Sequence, residues 1–357
     1  MELIKKKKYS KLKIKKVKRE PEFYIGLAFL RPILAFFVVM GHFYDFSLAR
    51  GYWNIFVMKS ELFRFHVRVF FIMSFYLSYK TIVSNDLKKI LKRLERLLIP
   101  YILWPIIIFF LNNFLLIKII PKSKILTFND LKFQLLFGTE YMDTFWYQWN
   151  LILISISFVL ITLFLKNYIF IFIIISITSF LYQYNGKNLQ YLGQYKNYIR
   201  SSLGRTLEVL PCSSIGFIFS SSGIINYISK FRLNSIIICI YLGYLIIYYN
   251  IFTNVEGFNY SGLKMYFASI CIFTIFVLFP SEKIKNKIII KIIKQITNHT
   301  AGVYFLHINI YKYMVSYIKS FQQKTIKGCI INYVICYSIC FIGNLIFGKT
   351  KLRNLFA

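Results

Sequence analysis

From Phe23 onward the chain is a succession of mostly apolar runs, each about 20 residues long, the length needed to cross a bilayer core as a helix. Hydrocarbon offers the backbone no partners, so a run of this kind must pair its own N–H and C=O groups and fold as a helix. The runs fall at residues 23–47, 63–83, 97–117, 145–165, 167–184, 207–228, 233–251, 262–280, 300–318 and 328–348. The expected fold is all-α, a polytopic membrane bundle of about ten transmembrane helices. Pro100, Pro105 and Pro211 stand near the starts of runs, where a missing N–H costs least. There is no internal repeat and no Pro/Gly-rich linker. A single membrane domain over residues 21–348 is expected, between a basic tail at 1–20 and a short tail at 349–357.

The charge would by itself point elsewhere. The chain holds 45 Lys and Arg against 13 Asp and Glu, a net charge of +32, and such an excess commonly marks nucleic-acid binding. Yet 57% of the residues are hydrophobic and 16% charged, against about 45–50% and about 25% in soluble domains. Nucleic acid is therefore not an expected partner, and this apolar content also excludes disorder. Residues 5–19 contain ten of the basic residues and no acid. The run that follows lacks a small-residue cleavage site and is too long for a signal-peptide core. It reads as a first span behind a basic tail that adheres to anionic membrane lipids.

The Lys/Arg bias orients the spans. With both termini cytoplasmic, the basic tail, Lys88-Lys89-Lys92-Arg93-Arg96, Lys230-Arg232, the lysines of 281–299 and Lys349-Lys351-Arg353 share one side. Asp45, Glu61, Asp130, Glu140, Asp143 and Glu256 lie on the other, with Trp146 and Trp149 at its interface. A multi-pass protein of the inner or plasma membrane is expected.

Several features carry no chemistry. All six cysteines lie in apolar runs without zinc spacing and read as small buried residues. Ser213, Ser214, Gly216 and Ser220 to Gly223 form a small-residue face suited to close helix packing. No nucleophile elbow, P-loop or dinucleotide fingerprint occurs, and no metal site is expected.

Ionisable groups inside apolar helices are costly and mark function by default. The first span contains Arg31 and His42, eleven residues apart and so on one helix face. They are separated by about 16 Å along the axis at about 1.5 Å per residue. Asp45, three residues after His42, can orient or charge the imidazole. Pro32 has the geometry to distort the helix beside Arg31. The alternative is that Arg31 snorkels to lipid phosphates and His42 is a hydrogen-bonded bundle residue. Arg93 and Arg96, at i and i+3, project from one face and suit phosphate contacts, or else serve topology and lipid binding. His66 reads as structural or interfacial.

Arg31-x10-His42 followed by Arg93-x-x-Arg96 resembles membrane acyltransferase family 3, integral membrane enzymes that O-acylate surface glycans. Phe70 to Leu77 resembles the family's F-F-x-x-S-G-F-L stretch, with Phe75 where the family favours Gly. Gly302-Val303-Tyr304-Phe305-Leu306-His307 resembles its late G-x-Y-x-x-H segment. The resemblance implies that His42 is the base or a transient acyl carrier, and that Arg31, Arg93 and Arg96 hold the phosphates of acyl-coenzyme A. Acetyl is the expected acyl group. Asp45 is a candidate partner of His42 on spacing. His307, about 10 Å into its span at about 1.5 Å per residue and so near the depth of Arg31, reads as lining the donor channel or as a packed core histidine. The implied reaction moves an acyl group to a hydroxyl of a surface glycan or lipid-linked saccharide at the outer face. The competing classes are a transporter or flippase for a polyprenyl-linked saccharide, without the paired repeats such proteins often show, and a scaffold, which leaves Arg31 and His42 unexplained.

Overall fold

The computed structural model describes residues 24–44, 65–84, 86–116, 125–138, 142, 144–185, 196–252, 263–280, 284, 286–315, 321 and 325–356. Regular structure among them is entirely helical: α1 (Ile25–Phe43), α2 (His66–Ile82), α3 (Leu87–Leu111), α4 (Phe128–Phe137), α5 (Phe145–Phe164), α6 (Tyr168–Asn185) and α7 (Lys196–Ser221). There follow α8 (Ile224–Lys230), α9 (Arg232–Phe252), α10 (Leu263–Val277), α11 (Lys287–Asn298), α12 (Thr300–Met314) and α13 (Ile326–Phe347). A π turn, Asn112–Leu116, extends α3, and a 3-10 turn, Lys351–Leu355, follows α13.

Every expected span overlaps a helix. By length and composition alone, however, four described helices can cross a membrane: α1, α3 with its π turn, α5 and α13. Residues Gly204–Ser221 of α7 and the whole of α8, bent by 67°, supply a fifth if they form one span. The bend falls at Gly223, whose φ of 68° is left-handed and suits glycine. Among the other apolar helices, α10 and α12 have 15 residues each, against about 20 for a span normal to the bilayer.

Helix α1 sits at the centre, packed against α2, α10, α11, α12 and α13. Its first half gives Leu27, Leu30 and Leu34 to one buried cluster, and its second half gives Val38, Val39, Met40 and Phe43 to another. Arg31 and His42 thus stand on the element shared by both cores. The small-residue face on α7 does pack closely: a Cβ on Gly216 would lie 2.2 Å from the Ile72 carbonyl oxygen of α2. Phe75, by contrast, is fully buried, with its ring 4.8 Å from that of Phe158. A large ring fills core volume there.

Pro32 has a specific consequence. Without an N–H it cannot bond the carbonyl four residues back, Ala28. The Thr297 hydroxyl of α11 lies 2.7 Å from that carbonyl oxygen. It is also 2.7 Å from the Ile293 carbonyl oxygen, a group that its own helix ladder already serves, so the proton is needed at Ala28. A proline in one helix thereby fixes where another docks.

Residues 281–299, read from sequence as a basic loop, contain α11. Asn286 caps it by accepting from Ile288 N (2.9 Å) and Ile289 N (3.3 Å). Its lysines alternate with exposed Ile288, Ile289 and Ile292, the two-sided pattern of a helix lying in a membrane interface. Between α2 and α7, buried Arg68 meets Glu208 at 2.9 Å and stands 4.8 Å over the Tyr266 ring. Arg68 therefore has a partner in the bundle and contributes to packing rather than to topology.

Candidate functional site

Helix α3 begins at Leu87, capped by Asp86, whose side chain accepts from Lys89 N at 3.3 Å. The side chain of Lys89, with its backbone N–H second, holds the Asp86 carboxyl below the ordinary carboxylate range. Arg93 and Arg96 consequently lie within a continuous helix and not in a loop. At i and i+3 they share one face. Arg93 is pinned by its Nη2, which donates to Ser74 Oγ of α2 and Ser155 Oγ of α5, both at 3.3 Å. Its guanidinium lies 5.9 Å from the centre of the Phe75 ring. The phenyl that replaces the family's glycine thus flanks one of the expected phosphate ligands.

Arg31 of α1 and Arg93 and Arg96 of α3 line one cavity of about 510 Å³. A fourth guanidinium joins them there, that of Arg353 from the 3-10 turn. No Asp or Glu lines this cavity among the described residues. Arg31 and Arg93 are half-buried, whereas Arg96 and Arg353 are exposed. Four guanidiniums gathered on one cavity without a carboxylate on its lining make a setting that favours an anionic ligand. Arg93 Nε is buried with no acceptor among the described residues, a further donor available to such a ligand. The volume suits a small-molecule or cofactor site.

Two tyrosines form one wall, Tyr147 of α5 and Tyr304 of α12, with ring centroids 4.8 Å apart. One turn further along α12 is His307. It is not on the cavity wall, but its ring is 6.0 Å from that of Tyr304 and 5.2 Å from that of His42. This corrects the sequence-based depth, which placed His307 level with Arg31. With α12 packed along α1, Tyr304 faces the arginine end and His307 the histidine end. The side chain of His42 leans back toward its helix N-terminus, as helical side chains do, and meets it. Phe43 stacks on Tyr311 at 4.0 Å and closes the contact.

The two imidazoles differ in setting. His42 is exposed, and His307 is fully buried. His307 Nδ1 lies 3.2 Å from the Val303 carbonyl oxygen, so this nitrogen must carry the hydrogen and donate it. Its Nε2 is buried without a hydrogen-bond partner among the described residues. In the neutral ring that nitrogen holds a lone pair. Asn332 of α13 steadies the same turn by donating to the His307 carbonyl at 3.0 Å. Asp45, expected beside His42, lies outside the described residues. Within the described residues, the expected base is an exposed imidazole set against a buried one.

Sequence reading brought Arg31, Arg93 and Arg96 forward but missed Arg353, Tyr147 and the histidine pair. Tyr304 and His307 were visible as a motif, without their partners. His66, read as structural or interfacial, is buried at the start of α2.

Residues 24–348 match the acyltransferase domain of acyltransferase family 3. The chain belongs to that family. No curated protein and no solved structure matches it. The matched stretch ends before the 3-10 turn, so Arg353 reaches the cavity from beyond the matched residues. Membership makes the protein an acyltransferase, and its apolar helices place it in a membrane.

Proposed function

We propose that this acyltransferase moves an acyl group, acetyl being the expected one, from cytoplasmic acyl-coenzyme A to a hydroxyl of a surface glycan or lipid-linked saccharide at the outer face. The observation that carries the reading is a run of contacts. The arginine-lined cavity is walled by Tyr304, Tyr304 contacts His307, and His307 contacts His42 at the far end of α1. The phosphates of coenzyme A match the four guanidiniums, and arginine pairs with phosphate through two parallel hydrogen bonds. The thioester, at the end of a slender arm, would extend along α1 toward the histidines. Arg31 and His42, about 16 Å apart at about 1.5 Å per residue, are spaced for a donor held at one end and reacting at the other.

At the histidine end the acceptor oxygen attacks the thioester carbonyl carbon while His42 takes its proton. The C–O bond forms and the C–S bond breaks. The departing thiolate receives the proton from the imidazolium, and coenzyme A leaves as the thiol. The buried His307 ring, 5.2 Å from that of His42, flanks the base. Exposure of His42 leaves room for a saccharide, and the buried side holds the donor. Holding both reactants at one imidazole supplies the orientation that such a transfer requires.

Mass spectrometry of surface glycans from cells with and without the gene tests this reading. The expected result is a mass difference of one acyl group, which also names the donor. Identical glycan masses would overturn it.

A further inference from the structure

Residues 349–357 resemble a basic tail in sequence, yet the segment from Thr350 to Phe356 is fastened into the bundle. Thr350 caps the turn by accepting from Leu352 N at 3.2 Å. The Leu355 carbonyl accepts from Trp104 Nε1 of α3 at 3.1 Å, and the Leu355 side chain is buried. The Phe356 carbonyl accepts from His299 Nδ1 at 3.1 Å. The Phe356 ring lies over Gly343 of α13, where an added Cβ would stand 2.4 Å from it, and it stacks on Phe347 at 5.7 Å. Helices α3 and α13 and the junction between α11 and α12 therefore hold a turn that has no apolar periodicity of its own. Held in this way, it places the Arg353 side chain on the same cavity as Arg31, Arg93 and Arg96, beside Asn354 and Asn344.

We infer that the C-terminal turn is part of the donor site, and that Arg353 at the cavity mouth binds a phosphate of the donor's nucleotide end. The inference rests on the acyl-coenzyme A reading above. Its chemistry follows from the gradient of exposure: Arg31 and Arg93 are half-buried and Arg96 and Arg353 are exposed, so the most hydrated, most highly charged end of the ligand belongs at the mouth. Coenzyme A carries phosphate at two places, a diphosphate bridge and a 3′-phosphate on the ribose. Arg96 and Arg353 come to the mouth from different elements, one on α3 and one on the turn, and can serve these separately. Asn344 and Asn354 add neutral donors and acceptors suited to the nucleoside. Donor affinity is then set partly by residues beyond the stretch that matches the family.

The test is titration of coenzyme A and of 3′-dephospho-coenzyme A into the purified full-length protein and its Arg353→Gln variant, with thermal unfolding of each alone. The wild type should bind coenzyme A, and Arg353→Gln should weaken it about tenfold or more, the effect of losing one charge-assisted hydrogen bond. The variant alone should unfold at the wild-type temperature, because Leu355 and Phe356 hold the turn. The loss should shrink for 3′-dephospho-coenzyme A if Arg353 serves the ribose phosphate, and persist if it serves the diphosphate. Equal coenzyme A affinities in the two proteins would overturn the inference while leaving the donor reading standing. So would a fall in unfolding temperature that matches that of Phe356→Ala, since Arg353 would then be structural. Failure of the wild type to bind coenzyme A would overturn the donor reading itself.

Discussion

The imidazole rings of His42 and His307 lie 5.2 Å apart between centroids, joining the last turn of α1 to the middle of α12. The pair is asymmetric. His42 is exposed, whereas His307 is enclosed and has its Nδ1 hydrogen committed to Val303. In the proposed reaction the enclosed ring is the group that flanks the base.

His307→Ala should therefore lower kcat by about 10² or more, the usual contribution of a positioned acid–base group. The KM for acyl-coenzyme A should change little, because His307 is not on the cavity wall. Steady-state kinetics with both substrates varied separates the two effects. An unchanged kcat would remove His307 from the reaction.

Arg93 is held by two serine hydroxyls on different helices. Lysine keeps the charge but not the planar fork, so Arg93→Lys should weaken coenzyme A binding about tenfold, or about 1.4 kcal/mol. Ser74→Ala with Ser155→Ala should weaken it less, since the guanidinium loses its anchors but not its charge. Calorimetric titration measures both. Donor affinity unaltered in Arg93→Lys would reject a phosphate role that depends on geometry.

Much of the helical architecture was legible, because runs such as Ile25–Phe43 and Ile326–Phe347 carry an apolar signal that few alternatives satisfy. The convergence of Arg31 with Arg93 and Arg96 was legible only through the family resemblance, since their separation in sequence gives no local clue. The remainder depends on tertiary register. Which side chain of α12 meets His42 is decided by how α12 packs along α1, and that packing has no periodic signature. Arg353 was hidden for a related reason: a short polar segment reads as charge outside the membrane until Leu355 and Phe356 are seen to anchor it. The isoleucines of α11 are interleaved with lysines, so charge alone makes the segment resemble a loop.

The bond between Thr297 and the Ala28 carbonyl is a second point of test. Thr297→Val should destabilise the protein by about 1–3 kcal/mol, the penalty for a buried carbonyl left without a donor. Pro32→Ala restores the N–H that this carbonyl lacks, so the same Thr297→Val change should cost much less in that background. Thermal unfolding of the four proteins in detergent gives the coupling. Strictly additive effects would show that Pro32 does not create the need for Thr297.

Arg68 and Glu208 make a close pair between α2 and α7, 2.9 Å apart with Arg68 almost wholly enclosed. Removing one partner of such a pair costs about 3–5 kcal/mol, whereas replacing both with apolar groups of similar size is often neutral. Arg68→Met should thus lower the unfolding temperature, and Arg68→Met with Glu208→Leu should recover most of the loss. If the double variant is no more stable than the single, the charges do more than pair with each other.

The central claim is that a donor held on the arginine cavity gives up its acyl group at His42. The most direct measurement is thiol release from acetyl-coenzyme A by purified protein with a saccharide acceptor, for the wild type and for His42→Ala, alongside coenzyme A binding to each. The expected result is acceptor-dependent thiol release by the wild type, a fall of about 10² or more in His42→Ala, and equal donor affinity in both. Undiminished thiol release by His42→Ala would contradict the account.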